Sequence, residues 1–294
     1  MTDRREFLRD AASSVMLGGA AAASASASAT NKSPRPRALA LDLNQRTAQD
    51  DLLIWARLKA DLSGRITCSM TSGTVWGFKP QADDLALKDF AKRLYGYATC
   101  ILRSGSALPD GRISIRARSW NFYLHPETNQ PVSEVLNPYT GTMVPCAPMI
   151  APAREQLYTV DGAVMVAPTL PLEMVKPVRP FDLHIRVLGE RAFVSESSFM
   201  RFQTRDITWR KLEGNLWTHS CLRSDLTNRS LTHIPSNWSQ NLVAEWQTWM
   251  GMHGTPGHIL FKGDGCQLHN VEEIPAELRR AIESVTPGGL AEKL

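Results

Sequence analysis

The chain has 294 residues, 43% hydrophobic and 21% charged, ordinary values for a globular protein with a sizeable core. A formal net charge of +4, with Lys and Arg interleaved among Asp and Glu, excludes the dense basic patch of a nucleic-acid binder. Five cysteines (Cys68, Cys100, Cys146, Cys221, Cys266), none at a CxxC spacing, exclude zinc-finger and thioredoxin-like motifs, and their odd number leaves at least one thiol unpaired in a monomer.

The N-terminus sets Arg4 and Arg5 just ahead of Phe7 and Leu8. An Ala- and Gly-rich apolar stretch follows over 11–23, then a small-residue run over 24–29 with overlapping Ala-x-Ala sites. The order basic, apolar, small is that of an export leader, and adjacent arginines mark the twin-arginine variant. Cleavage after Ala29 is expected. The mature chain is then expected in the periplasm or outside the cell, exported already folded, with the twin-arginine translocase as its partner during export. The apolar stretch is too short for a stable membrane span. Arg4, Arg5 and Arg9 balance Asp3, Glu6 and Asp10, so cleavage leaves the net charge unchanged. Residues 30–49 read as a linker, polar and with two prolines at its start.

Residues 48–60 have helical spacing, with Leu52, Leu53, Trp55 and Leu58 on one side and Asp50 and Asp51 in the first turn. From 66 the chain changes to strand character. Residues 112–124 alternate most clearly: Ile113, Ile115, Ala117, Ser119, Asn121 and Tyr123 point one way, and Trp120, Phe122 and Leu124 the other. Apolar residues mixed across both faces suggest a strand that runs from a solvent zone into a two-sided core. Further strands are expected at 132–136, 142–146, 156–160, 163–167, 181–188, 192–203, 206–212, 216–222 and 258–262, with helices at 240–250 and 275–285. Many short strands with close turn signals imply a mainly β protein. We expect one domain over 50–285 and a tail over 286–294. The domain is expected to be an antiparallel β-barrel, calycin- or lipocalin-like in shape, with short N- and C-terminal helices.

Tyr123, His125 and Glu127 alternate at the end of the clearest strand and are candidate proton-transfer groups. Trp120, Tyr139, Trp249, His253 and His258 are candidate ligand contacts. The two histidines flank the turn Gly254-Thr255-Pro256-Gly257, and indoles present an apolar body with one polar handle. No HExxH, P-loop, GxGxxG or GxSxG pattern occurs, so no metal or cofactor is expected and Glu196-Ser197-Ser198 is not a hydrolase elbow. Asn137-Pro138-Tyr139-Thr140-Gly141 has the residues of a tight hairpin turn.

Two segments carry a resemblance. Tyr123-Leu124-His125-Pro126-Glu127-Thr128-Asn129, followed by Asn137-Pro138-Tyr139-Thr140-Gly141, and the later Trp249-Met250-Gly251-Met252-His253-Gly254-Thr255-Pro256-Gly257, resemble segments of the family known as domain of unknown function 1838. His125 stands where that pattern has Asp, and Asn129 where it has Gly. The resemblance implies an antiparallel β-fold, frequent twin-arginine export and no established activity, and no catalytic residue is carried over. The resulting expectation is a barrel pocket that binds or transforms a small apolar or aromatic metabolite. If catalytic, it is a cofactor-free isomerase or lyase. The alternative is a non-catalytic periplasmic binding or envelope-associated structural protein.

Overall fold

The computed structural model describes residues 40–80, 91–165, 172–175, 182–204, 210–291 and 294. The expected leader and the first part of the linker lie outside these residues. Helix α1 (Ala48–Lys59) forms where the leucine spacing places it. A capping box starts it: the Thr47 hydroxyl accepts from the Asp50 N–H, and the Asp50 carboxylate accepts from the Thr47 N–H at 3.0 Å.

The strands in chain order are β1 (Thr67–Phe78), β2 (Ala91–Ala107), β3 (Ile113–Leu124), β4 (Glu134–Asn137), β5 (Thr142–Pro145), β6 (Met149–Thr159), β7 (Gly162–Met165), β8 (Leu172–Val175), β9 (Asp182–Leu188), β10 (Arg191–Thr204), β11 (Arg210–Leu222), β12 (Asn237–Ala244) and β13 (His258–Leu268). Helix α2 (Arg223–Thr227) follows β11, and α3 (Ala276–Val285) follows β13. Eleven strands form one sheet in the order β7-β6-β3-β2-β1-β13-β12-β11-β10-β8, with β9 also on β10, while β4 and β5 pair as a separate hairpin. Every strand pairing is antiparallel. The Asn137–Gly141 turn closes that hairpin as its residues require, with Gly141 at φ 70.

The mainly β class holds, but no closed barrel is found. Among the described residues, no pairing joins β7 at one end of the sheet to β8 or β9 at the other. The reason lies in α1. Leu52, Ile54, Trp55, Ala56 and Leu58 pack in one cluster with Ile113 and Ile115 of β3, Leu183 of β9, and Ala192 and Val194 of β10. Among the described residues, the two arms of the sheet thus meet through side chains on a helix.

The face covered by α1 is called inner here. A second inner cluster sits at the other end, with Val75, Tyr95, Tyr97, Tyr123, Trp246, Met250 and Phe261. On the outer face Cys100, Leu102, Trp120 and Phe122 pack against Leu278 and Ile282 of α3. Strand β3 thus carries apolar contacts on both faces, as its mixed alternation implies, but it starts buried at Ile113 and Ile115 under α1 and not in a solvent zone. Close passage of two rings fixes the composition of β13. A Cβ at Gly263 would stand 2.4 Å from Tyr97 Oη, and one at Gly265 2.3 Å from the Trp238 ring. Only glycine leaves that space.

The helix expected at 240–250 is a correction. Residues to Ala244 are strand, paired with β11 on one side and β13 on the other, and only the single 3-10 turn Thr248–Met250 follows. Ladders on both flanks outweigh the helix-like spacing of Leu242, Trp246 and Trp249. The expected strands at 206–212 and 216–222 fall on one strand, β11, with 206–209 outside the described residues. All five cysteines are free thiols, and Cys68 and Cys100 lie 3.9 Å apart at Sγ.

Asp61 pins the corner after α1. Its carboxylate accepts from the Ser63 N–H at 2.9 Å and from Arg65 Nε at 3.0 Å, with the side chain 1% exposed. Burial acts to raise its pKa, but hydrogen bonds from Ser63 and Thr232 and the Arg65 charge outweigh this and hold it at about 2. A folded-state pKa below the unfolded one contributes stability that is full above about pH 4 and lost as pH falls through the folded value. The contribution is on the order of 2 kcal/mol. Asp61→Asn should lose about that much at pH 7 and flatten the stability profile between about pH 4 and 2, read from urea titrations at each pH.

Candidate functional site

Between the two inner clusters the sheet is polar. A cavity of about 300 Å³ opens there, lined by Trp55 and Lys59 of α1, Ile101 and Arg103 of β2, Ile115, Ala117 and Ser119 of β3, Arg154, Gln156 and Tyr158 of β6, Glu196 and Ser198 of β10, and Asn215 and Trp217 of β11. At about 30 Å³ of liquid volume per water, this is room for on the order of ten water-sized groups. The period of two places these side chains together, because each strand directs every second residue inward.

Lys59 is the centre of the polar set. Its Nζ lies 2.9 Å from Glu196 Oε1, and the two side chains are 9% and 11% exposed. The same nitrogen stands 3.1 Å from His219 Nε2 and 4.1 Å from the centre of the Trp217 ring. Burial pulls the Lys59 pKa below the ordinary lysine range, the Glu196 charge opposes this, and the Arg103 charge adds to it. His219 is fully buried, and burial together with the Lys59 and Arg103 charges holds its pKa well below the usual histidine value. It is therefore neutral at pH 7, accepts from Lys59 at Nε2, and presents Nδ1–H to the Ser236 hydroxyl at 3.4 Å.

Arg103 donates to the Ser69 hydroxyl at 3.2 Å. Its own pKa is lowered by burial. Tyr158 donates to Gln156, and burial, opposed by Arg103 and Arg154, raises its phenol to about 12, so it stays protonated. Glu196 Oε2 is buried with no hydrogen-bond partner. The cavity lining thus carries three cations, Lys59, Arg103 and Arg154, against one carboxylate, Glu196. A low-dielectric space with such an excess favours an anionic guest. The aromatic residues Trp55, Tyr158 and Trp217 supply the flat apolar part of its wall. Among the described residues no group of three or more His, Cys, Asp or Glu is placed to hold a metal ion.

None of the eight residues singled out from the sequence lines this cavity. Tyr123 is buried in the second inner cluster, where its hydroxyl accepts from Trp249 Nε1 at 3.2 Å. Tyr139 and Trp249 pack against that same cluster. Trp120 faces the other way, fully buried under α3, and donates from Nε1 to the Thr286 hydroxyl at 3.0 Å. His125 and Glu127 are exposed, because β3 ends at Leu124 and a turn follows in which His125 Nδ1 accepts from the Glu127 and Thr128 N–H groups. The alternation that put them beside Tyr123 stops with the strand. His253 is exposed on its turn, and His258 is exposed and stacks on Phe78. The structure therefore brings Tyr123, Tyr139 and Trp249 together and leaves the other five apart.

Sequence reasoning missed Lys59, Arg103, His219 and Trp217 as a group. The available signal is weak: Lys59 closes an amphipathic helix, and Arg103 follows the apolar alternation Ala98, Cys100, Leu102 of β2.

A family model described as "Protein of unknown function (DUF1838)" matches residues 71–288. The chain belongs to this family. The match runs from within β1 through α3, and so includes every cavity strand, while Trp55 and Lys59 of α1 precede it. No curated protein matches the chain. Among the described residues, no helix of this family member is long and apolar enough to cross a membrane.

Proposed function

We propose that this protein is exported through the twin-arginine route and holds a small organic acid with an aromatic or apolar body in the inner-face cavity. The observation that carries the ligand class is the lining itself: Arg103 and Arg154 exceed what Glu196 balances once Lys59 is paired with it, beside the Trp55, Tyr158 and Trp217 rings. Arginine matches a carboxylate with two parallel N–H donors, and flat rings cover the remainder of the guest. Export is supported by Arg4-Arg5 ahead of an apolar stretch and a small-residue run.

The test is native mass spectrometry of protein recovered from the periplasm, paired with a fluorescence titration by 4-hydroxybenzoate. The recovered chain should begin at Thr30. Quenching of tryptophan emission should saturate with the carboxylate and not with 4-hydroxybenzamide. Arg103→Gln should weaken binding roughly tenfold or more, the worth of a lost hydrogen bond to a charged group. A chain that keeps its first 29 residues in the cytoplasm ends the export reading. Equal binding of acid and amide, untouched by Arg103→Gln, ends the ligand reading.

A further inference from the structure

We propose that Lys59 forms a covalent imine with a carbonyl group of the ligand, so that the substrate class is an aromatic 2-oxo acid, with Glu196 as proton acceptor and counter-ion. This rests on the cavity being a site for small organic acids, and adds a reaction to it.

The argument begins with position. Lys59 Nζ stands among cavity-lining side chains, 2.9 Å from a carboxylate oxygen and 3.1 Å from an imidazole nitrogen that is neutral and can only accept. Two acceptors therefore share the ammonium protons, and either keeps the nitrogen fixed after one proton leaves. Arg103 and Lys59 line the same cavity, which places an acid-binding group and the amine in one space of about 300 Å³. A guest whose carboxylate meets Arg103 thus brings the adjacent carbon toward Nζ, and in a 2-oxo acid that carbon is the carbonyl. Desolvation is the ordinary means by which proteins make a lysine nucleophilic.

The step balances. The Lys59 ammonium gives one proton to Glu196. The neutral amine adds to the carbonyl carbon, the C=O electron pair moves to oxygen, and proton transfers give a carbinolamine. A C–N double bond forms as the C–O bond breaks, and the oxygen leaves as water with the proton returned by Glu196. The product is an iminium on Lys59. It carries the same single positive charge as the ammonium it replaces, so the buried pairing with Glu196 survives the reaction. A buried lysine facing a carboxylate is thus compatible with the adduct electrostatically. The Trp217 face, 4.1 Å from Nζ, attracts the iminium as it does the ammonium.

The experiment is reductive trapping. The full chain is incubated with phenylpyruvate and sodium borohydride, then weighed intact and mapped by peptide. A single stable adduct on Lys59 is expected, and Lys59→Arg should abolish it, with far-ultraviolet circular dichroism confirming that the variant is folded. Adducts spread over exposed lysines such as Lys262, with none at Lys59, would overturn the proposal. So would saturable carboxylate binding by the wild type without any trapped species, a result that leaves the binding reading standing. Loss of both binding and trapping in the wild type overturns the two together.

Discussion

Replacing Lys59 with Met should cost about 3 to 5 kcal/mol of stability, and Lys59→Met with Glu196→Leu together should cost far less. The reason is desolvation. The pair is about nine-tenths buried, and Glu196 Oε2 already has no hydrogen-bond partner. Removing Lys59 strands a carboxylate in a low dielectric, whereas removing both charges leaves an apolar surface of similar volume. Glu196→Leu alone should be milder and pH-dependent, because lysine can shed its proton. Without Glu196, nothing opposes the burial and the Arg103 charge that lower the Lys59 pKa. A lysine with a depressed folded-state pKa binds fewer protons folded than unfolded, so stability rises as pH rises toward the unfolded value of about 10.4. Urea titrations at pH 7 and 9 should show Glu196→Leu gaining on the wild type as the solution becomes more basic. Equal costs for both single variants and the double one would mean that the pair is not desolvated.

These charges explain why so little of the site was legible in the sequence. Lys59 and His219 are 160 positions apart, and six separate elements contribute to the lining. Local rhythm reports which face of an element is apolar. It does not report which lysine at a helix end turns inward. Glu196 sits in a Glu-Ser-Ser run that matches no catalytic motif, so nothing local marks it. The fold was easier to read. Alternation in β3 correctly divided Ile113 and Ile115 from Trp120 and Phe122, because pleating enforces it. Strand β2, the longest, escaped notice because its apolar residues fall on both faces: Tyr95 and Tyr97 inward, Cys100 and Leu102 outward. Periodicity marks weakly a strand whose inner face mixes Tyr95 and Tyr97 with Arg103. Closure was illegible for a different reason. Whether a sheet closes depends on what packs between its arms, and here α1 packs against β3 on one arm and β9 and β10 on the other.

The outer face offers a test of the same logic with a larger apolar payload. Trp120 is fully buried where α3 crosses the sheet, among Phe122, Ile274, Leu278 and Ile282. Its indole N–H reaches the Thr286 hydroxyl at 3.0 Å, so one residue supplies both the floor under α3 and a tie to the chain just beyond it. Trp120→Ala removes the ring, leaves a cavity that a ladder-bound strand cannot collapse into, and orphans the hydroxyl. It should cost about 3 to 5 kcal/mol and expose the C-terminal helix to proteolysis. Trp120→Phe keeps most of the packing and loses the hydrogen bond, so a smaller cost of about 1 to 2 kcal/mol is expected. Limited proteolysis followed by mass analysis separates the cases: early cleavage within 270–290 in the alanine variant, and a near wild-type pattern in the phenylalanine one. If Trp120→Ala unfolds the whole chain with no prior cleavage in that segment, α3 is part of one cooperative unit with the sheet, and its docking is not a separable step.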